Sequence, residues 1–163
     1  MTVSIEVFKQ AMGSFPAGVT VTAAYDKNGI VTGMTASAFS SVSINPFLVL
    51  MCPAKEAECY ECLTQSEYFS IHILGGDQSE LAWQFAKSNI DKTTGLSLSK
   101  GPQGSPKIKG CLAYLECRHH ALYDGGDHGI LLGEVSHIEL SDPGREPLVY
   151  CKSQLGPLPA IGS

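Results

Sequence analysis

Apolar residues open the chain at helical spacing: Ile5, Phe8, Met12 and Phe15 fall three, four and three apart. They form one stripe of a short helix that Pro16 and Gly18 bring to an end, and the stripe is expected to pack on a sheet. The period then changes. Val19 to Tyr25 is β-branched and apolar, Asp26-Lys27-Asn28-Gly29 carries turn residues, and Ile30 to Met34 resumes a strand, which together predict a hairpin. Phe47 to Cys52 is continuously apolar between Pro46 and Pro53, the pattern expected of a strand buried on both faces. A helical stretch around Ala57 to Gln65 precedes Tyr68 to Leu74, where Phe69, Ile71 and Ile73 share one strand face before Gly75-Gly76 stops it. Asp77 and Glu80 have the spacing of a capping box and predict a helix with Leu81, Phe85 and Ala86 facing inward.

Asn89 to Lys109 carries few apolar residues and reads as a long surface loop, a candidate lid. Two long strand-like runs follow, Cys111 to Tyr123 and Gly129 to Leu140, separated by the five-residue connection Asp124 to His128. Ser141 to Arg145 turns the chain toward a last strand, Leu148 to Cys151, and the tail from Gly156 is extended and Pro-rich. Strands dominate, helices are few and peripheral, and turn signals separate the strands. The pattern therefore predicts a mainly β, antiparallel architecture, a small closed barrel, with one domain over residues 1–155 and a tail over 156–163.

Composition narrows this further. A chain of 163 residues that is 44% hydrophobic and 17% charged can bury one core of its own. The net charge of −5 comes from scattered acids, and no short window is rich in Lys or Arg, which argues against nucleic acid as a partner. No apolar run reaches membrane-spanning length, and Val3 to Gln10 alternates apolar residues with Glu6 and Lys9, so the expectation is a soluble, cytoplasmic protein without a membrane partner. The six cysteines, at 52, 59, 62, 111, 117 and 151, are expected to stay reduced. Cys59 and Cys62 form a CxxC but share a helix face with Leu63, and no second CxxC accompanies them, so core packing is expected rather than metal or redox chemistry.

The stretch richest in candidate chemistry is Gly33 to Pro46, GMTASAFSSVSINP, with five Ser or Thr hydroxyls among small side chains. Such a stretch brings backbone N–H groups and hydroxyls close to an anion or a polar ring edge, as a phosphate-bearing cofactor requires. The alternative is a Ser-rich turn that satisfies its own backbone. His72, His119, His120 and His137 have no ligand partner at metal spacing and read as ordinary surface or turn residues.

Four segments in order carry a family resemblance: FPAGVTV from Phe15, GMTASAFSSVSINPFLVLMC from Gly33, GCLAYLEC from Gly110 and GGDHGILLGEV from Gly125. The chain resembles the short-chain flavin reductases, the NAD(P)H:flavin oxidoreductases of two-component monooxygenases. The resemblance implies a Greek-key split barrel that binds FMN or FAD, takes a hydride from NADH or NADPH, pairs as a homodimer and hands reduced flavin to a flavin-dependent oxygenase. It further implies a cofactor-binding set of Met34, Thr35, Ala36, Ser37, Ser40, Ser41, Val42, Ser43, Cys52, Lys55 and Phe85, with no metal. Thr35, Ala36 and Ser37 would meet the ring's polar edge from a loop after the Ile30 to Met34 strand, and Ser40, Ser41 and Ser43 would meet the ribityl chain and phosphate. His128 is implied to be the catalytic residue, near the nicotinamide ring. The residues agree on one negative point: no GxGxxG follows a strand and opens a helix, so a nicotinamide cofactor must bind without a Rossmann unit.

The chain departs from the family pattern after the buried strand. An S-x-T that helps hold the flavin phosphate in many relatives is replaced by Ala57 and Cys59, with Glu56 and Glu58 adding negative charge beside Lys55. A flavin-binding electron carrier without fast nicotinamide turnover is the alternative reading; the retained Gly-Asp-His at 126–128 favours the enzyme.

Overall fold

The computed structural model describes residues 3–141 and 144–159. Helix α1 (Ile5–Gly13) starts at Ser4, whose hydroxyl accepts the Val7 N–H at 3.3 Å. The chain then runs through β1 (Ala17–Gly18), β2 (Thr20–Tyr25), β3 (Val31–Ala36), β4 (Phe39–Ile44), β5 (Phe47–Met51), α2 (Tyr60–Gln65), β6 (Tyr68–Ile73) and α3 (Ser79–Ala86). It ends with β7 (Leu98–Lys100), β8 (Pro106–Ile108), β9 (Ala113–Gly125), β10 (His128–Leu140), β11 (Leu148–Cys151) and β12 (Gln154–Pro157). Strand β12 thus carries regular structure two residues into the stretch read as a tail. Of the turn predicted at Ser141 to Arg145, positions 142 and 143 lie outside the described residues.

Seven strands form one antiparallel sheet in the order β3-β2-β6-β9-β10-β5-β4. Its two edges, β3 and β4, are consecutive in sequence, and only Ser37 and Ala38 join them. Laid flat, six strand spacings would hold those edges about 29 Å apart, whereas three peptide units reach at most about 11 Å. The sheet must therefore curl until its edges meet at that corner. The result is a split barrel rather than the closed one expected from the strand pattern, because no ladder joins β3 to β4. Close approach helps the curl: a Cβ on Gly33 would lie 2.3 Å from the Thr22 carbonyl oxygen.

Two apolar clusters flank this sheet. The barrel interior holds Met51, Leu63, Phe69, Ile71, Leu115 and Leu131, and buried Cys59 and Cys117 belong to it. The outer cluster packs Leu81, Ala82 and Phe85 of α3 and Leu148 of β11 onto Val19, Val21 and Ala23. Strand β6 is buried on both sides, with Phe69 and Ile71 in the barrel interior and Ser70 and His72 on its other face. All six cysteines are free, and burial pushes the Cys59 and Cys111 thiols up to about 11.

Several expectations are corrected. Helix α1 buries none of its residues: Ile5 is 69% exposed and Phe15, just beyond it, 74%, so the apolar stripe is real but this chain does not cover it. Strand β5 alternates rather than lying buried on both faces, with Val49 and Met51 inside and Phe47 63% exposed, because it lies next to the outer strand β4. No capping box opens α3. Asp77 instead accepts from Arg145 at 2.6 Å, Gln78 stands at the N-cap, and Ala82 rather than Ala86 faces inward.

Residues 89–109 contain the β7–β8 hairpin. Buried Glu116 pins its turn by accepting the Gln103 and Ser105 N–H groups at 2.9 and 3.0 Å and the Ser105 hydroxyl at 2.8 Å. His72 is no surface residue. It is fully buried, donating from Nδ1 to the Val21 carbonyl at 3.2 Å and accepting the Ile108 N–H at Nε2 at 3.0 Å, and burial lowers its pKa to about 4.

Candidate functional site

The hydroxyl-rich stretch is not a loop. Thr35 and Ala36 are the last residues of β3, and Ser40 to Ser43 belong to β4, so only Ser37 and Ala38 form a connection. Small β-tolerant residues serve as well in an edge strand as in a turn, which is why composition alone pointed to a loop. Edge strands leave one row of N–H and C=O groups unpaired, so this corner offers backbone donors and acceptors from both sides of the split. Val42 is the extra residue of a β-bulge between Ser41↔Val49 and Ser43↔Leu48, which breaks the regularity of the outer edge. Ser40 Oγ donates to the Ser41 carbonyl at 3.0 Å, and Ser43 Oγ accepts the Asn45 N–H at 3.2 Å.

Helix α3 lies over β3. Thr35 Oγ1 donates to the Ala82 carbonyl at 2.6 Å and ties strand to helix. Two hollows open beside this tie, and Thr35 and Ala86 line both. The first, of about 300 Å³, adds Ser37 and the rings of Trp83 and Tyr150. The second, of about 180 Å³, adds Met34, Phe85, Glu58, Lys87, Ser88 and Lys92. Lys92 is only 8% exposed, and its ammonium donates to the carbonyls of Gln84, Phe85 and Lys87 at the end of α3. Burial lowers its pKa, while the charge of Glu58 opposes that shift. A larger hollow of about 410 Å³ at Gly76, Asp77 and Arg145 holds an ion pair and none of the predicted site residues.

A third group gathers at the tip of the β9–β10 hairpin. The turn is tighter than the five residues expected: His128 pairs with Gly125, leaving Gly126 and Asp127 at its apex, with Gly126 at φ +81°. The segment after β5 braces this tip. Ala54 bridges to His128, Lys55 N–H donates to the Asp127 carbonyl at 2.9 Å, and Gly129 N–H donates to Pro53 at 2.9 Å. His128 Nδ1 donates to Asp127 Oδ1 at 2.7 Å, which holds the Asp127 carboxyl below its usual range and leaves Nε2 as the ring's free nitrogen. Lys55 Nζ pairs with Asp124 Oδ1, so its charge already has a partner. The Cys52 N–H donates to the Ala38 carbonyl at 3.2 Å and links the corner to this group. His128 therefore sits two strands across from the corner and two residues along it, about 12 Å away by strand geometry.

The predicted residues thus fall into three neighbouring sets. Met34, Thr35, Ser37 and Phe85 surround the hollows under α3; Cys52, Lys55 and His128 share the hairpin tip; Ser40, Ser41, Val42 and Ser43 lie on the outer edge and line neither hollow. Ala36 faces the barrel interior. Reasoning from sequence missed Trp83, Tyr150, Glu58 as a lining residue, and Lys92. An exposed Trp and a lysine beside a helix end carry no local signal, and only the packing of α3, β11 and the segment before α2 around Thr35 gathers these residues. Among the described residues no His, Cys, Asp and Glu cluster could hold a metal, and no helix is long and apolar enough to cross a membrane.

Comparison with known proteins bears on this geometry. The family model for the flavin reductase like domain matches residues 12–159. FMN reductase (NADH) SmoA of Agrobacterium fabrum is 41% identical over 149 residues, covering 91% of this chain and 83% of that protein. The reductase component of 4-hydroxyphenylacetate 3-monooxygenase from Thermus thermophilus is 39% identical over 145 residues, covering 89% and 91%. The solved structure of Streptomyces globisporus NADH:FAD oxidoreductase SgcE6, in complex with NAD and FAD fragments, superposes with a TM-score of 0.88 at 34% identity, covering 97% of this chain and 96% of that one.

Proposed function

This chain belongs to the flavin reductase-like family and catalyses the NAD(P)H-dependent reduction of flavin for an oxygenase; on that premise we propose which of its residues hold the two reactants. The observation that carries the reading is the pair of hollows sharing Thr35 and Ala86. One is flanked by Trp83 and Tyr150 and suits a planar ring; the other is lined by Lys87, Ser88 and Lys92 beside Glu58 and suits a phosphate. Edge-strand backbone at Thr35 to Ser37 supplies donors and acceptors for the ring's polar rim, at hydrogen-bond distances of about 2.7 to 3.2 Å. Flavin, as FMN or FAD, supplies the hydride-accepting chemistry when bound, so the protein needs to orient and shield rather than to act as acid or base.

His128 is the residue we assign to the nicotinamide of NADH or NADPH. Asp127 fixes its ring through Nδ1, and Nε2 on a 44% exposed side chain is free to meet a polar group of the incoming donor. Lys55 and Pro53 keep the tip in place through their backbone. The protein acts as a cytoplasmic homodimer in this reading. The uncovered stripe of α1 with Phe15, and Ile44 and Phe47 beside the outer edge, are apolar surfaces that a second copy would bury, and doing so would enclose Ser40 to Ser43 and bring them into the flavin site.

The test is oxidation of NADH or NADPH with added FMN or FAD, followed by loss of the reduced nicotinamide absorbance. The protein should exceed flavin alone by orders of magnitude, and parity with the blank would remove the reading. Sedimentation at assay concentration should give twice the monomer mass; a monomer would sink the dimer.

A further inference from the structure

The smaller hollow has the makings of an anion seat, yet an acid of this chain reaches it first. Helix α3 turns the negative end of its dipole toward this hollow, and the buried Lys92 ammonium caps the last carbonyls and reverses that local sign. Lys87 and Ser88 line the same hollow, and the Asn89 N–H, next along the chain, points to Glu58. Both carboxylate oxygens of Glu58 accept that Asn89 N–H, at 3.0 and 3.2 Å. Glu58 also stands as countercharge to Lys92, which forms no ion pair among the described residues. Its carboxylate therefore takes an amide donor beside the hollow and places a negative charge where an entering phosphate would lie.

We propose that Glu58 is a built-in competitor for the flavin phosphate, sharing its amide donor and the field of Lys92 and so keeping phosphate-bearing flavin weakly held and exchangeable. The inference rests on the flavin site described above. It has a plain consequence for a reductase that must release its product: the grip on the ring is left to the larger hollow, while the phosphate adds little. Removing the Glu58 charge should strengthen binding only for flavins that carry a phosphate.

The experiment is a fluorescence titration of FMN and of riboflavin, which lacks the phosphate, against wild type and Glu58→Gln at one ionic strength. Glutamine keeps an oxygen for the Asn89 N–H and removes the charge. The FMN Kd should fall about tenfold in the variant, equivalent to about 1.4 kcal/mol of repulsion removed, and the riboflavin Kd should stay put. An unchanged ratio of FMN to riboflavin affinity overturns the proposal while flavin-dependent NADH oxidation keeps the site itself intact. Failure of both flavins to bind either protein overturns the site and the proposal together. Should the variant not fold, isotope-labelled wild type serves: the Asn89 amide resonance should shift with FMN and not with riboflavin, and equal shifts overturn the proposal.

Discussion

Acid should weaken this protein through His72 in particular. The imidazole is fully buried, and burial lowers its pKa from 6.5 to about 4. Its neutral form makes two bonds: Nδ1–H donates to the Val21 carbonyl, and Nε2 accepts the Ile108 N–H. A proton on Nε2 would set one N–H against another and loosen β8 from the sheet. Between pH 6.5 and pH 4 the unfolded chain binds this proton and the folded chain does not. Stability from this group is therefore complete above about pH 6.5 and lost as pH falls toward 4. Over that window the loss is about 3 kcal/mol, a large share of the 5 to 15 kcal/mol of a typical domain. Urea unfolding at a series of pH values for wild type and His72→Gln isolates it, since the other titrating groups are common to both chains. The variant should be less stable at pH 7 but lose about 3 kcal/mol less on going to pH 4. Parallel curves for the two proteins would refute the reasoning.

The remaining predictions concern the site and the barrel. His128→Ala should slow stopped-flow flavin reduction by NADH about tenfold, the equivalent of one polar contact, and leave FMN affinity unchanged; an unaltered rate removes His128 from the nicotinamide site. Thr35→Val deletes the bond to the Ala82 carbonyl and should cost about 1 kcal/mol, read as a Tm about 2 to 4 °C lower, with faster amide exchange in α3; wild-type exchange would mean that the tie is idle. Gly133→Ala introduces a Cβ 2.6 Å from Phe69 Cζ and 2.8 Å from Cys117 Cβ. It should destabilise by about 1 to 3 kcal/mol in a urea melt, and an unchanged midpoint would show that the barrel interior yields there.

Some of this molecule was written locally in the chain. Apolar and β-branched runs with turn residues between them marked β2, β3, β6, β9 and β10, because strand propensity and turn chemistry are properties of neighbouring residues. The core setting of Cys59 followed from its spacing to Leu63, and the order of four motifs pointed to the flavin reductases. The same local rules misjudged whatever depends on a distant partner. That β3 and β4 are opposite edges of one sheet, joined by two residues, follows only from the full strand order. His72 looked like a surface residue because burying a polar ring requires acceptors and donors from Val21 and Ile108, which lie far from it in sequence. The polar stretch from 89 to 109 looked like a loop because the acid that orders it, Glu116, is on another strand. Trp83, Tyr150, Glu58 and Lys92 meet around Thr35 only once α3, β11 and the segment between β5 and α2 come together there. Sequence pattern determined which faces are apolar; tertiary structure decided what covers them and which charges they bring together, since burial and electrostatics act through space between segments the chain keeps apart.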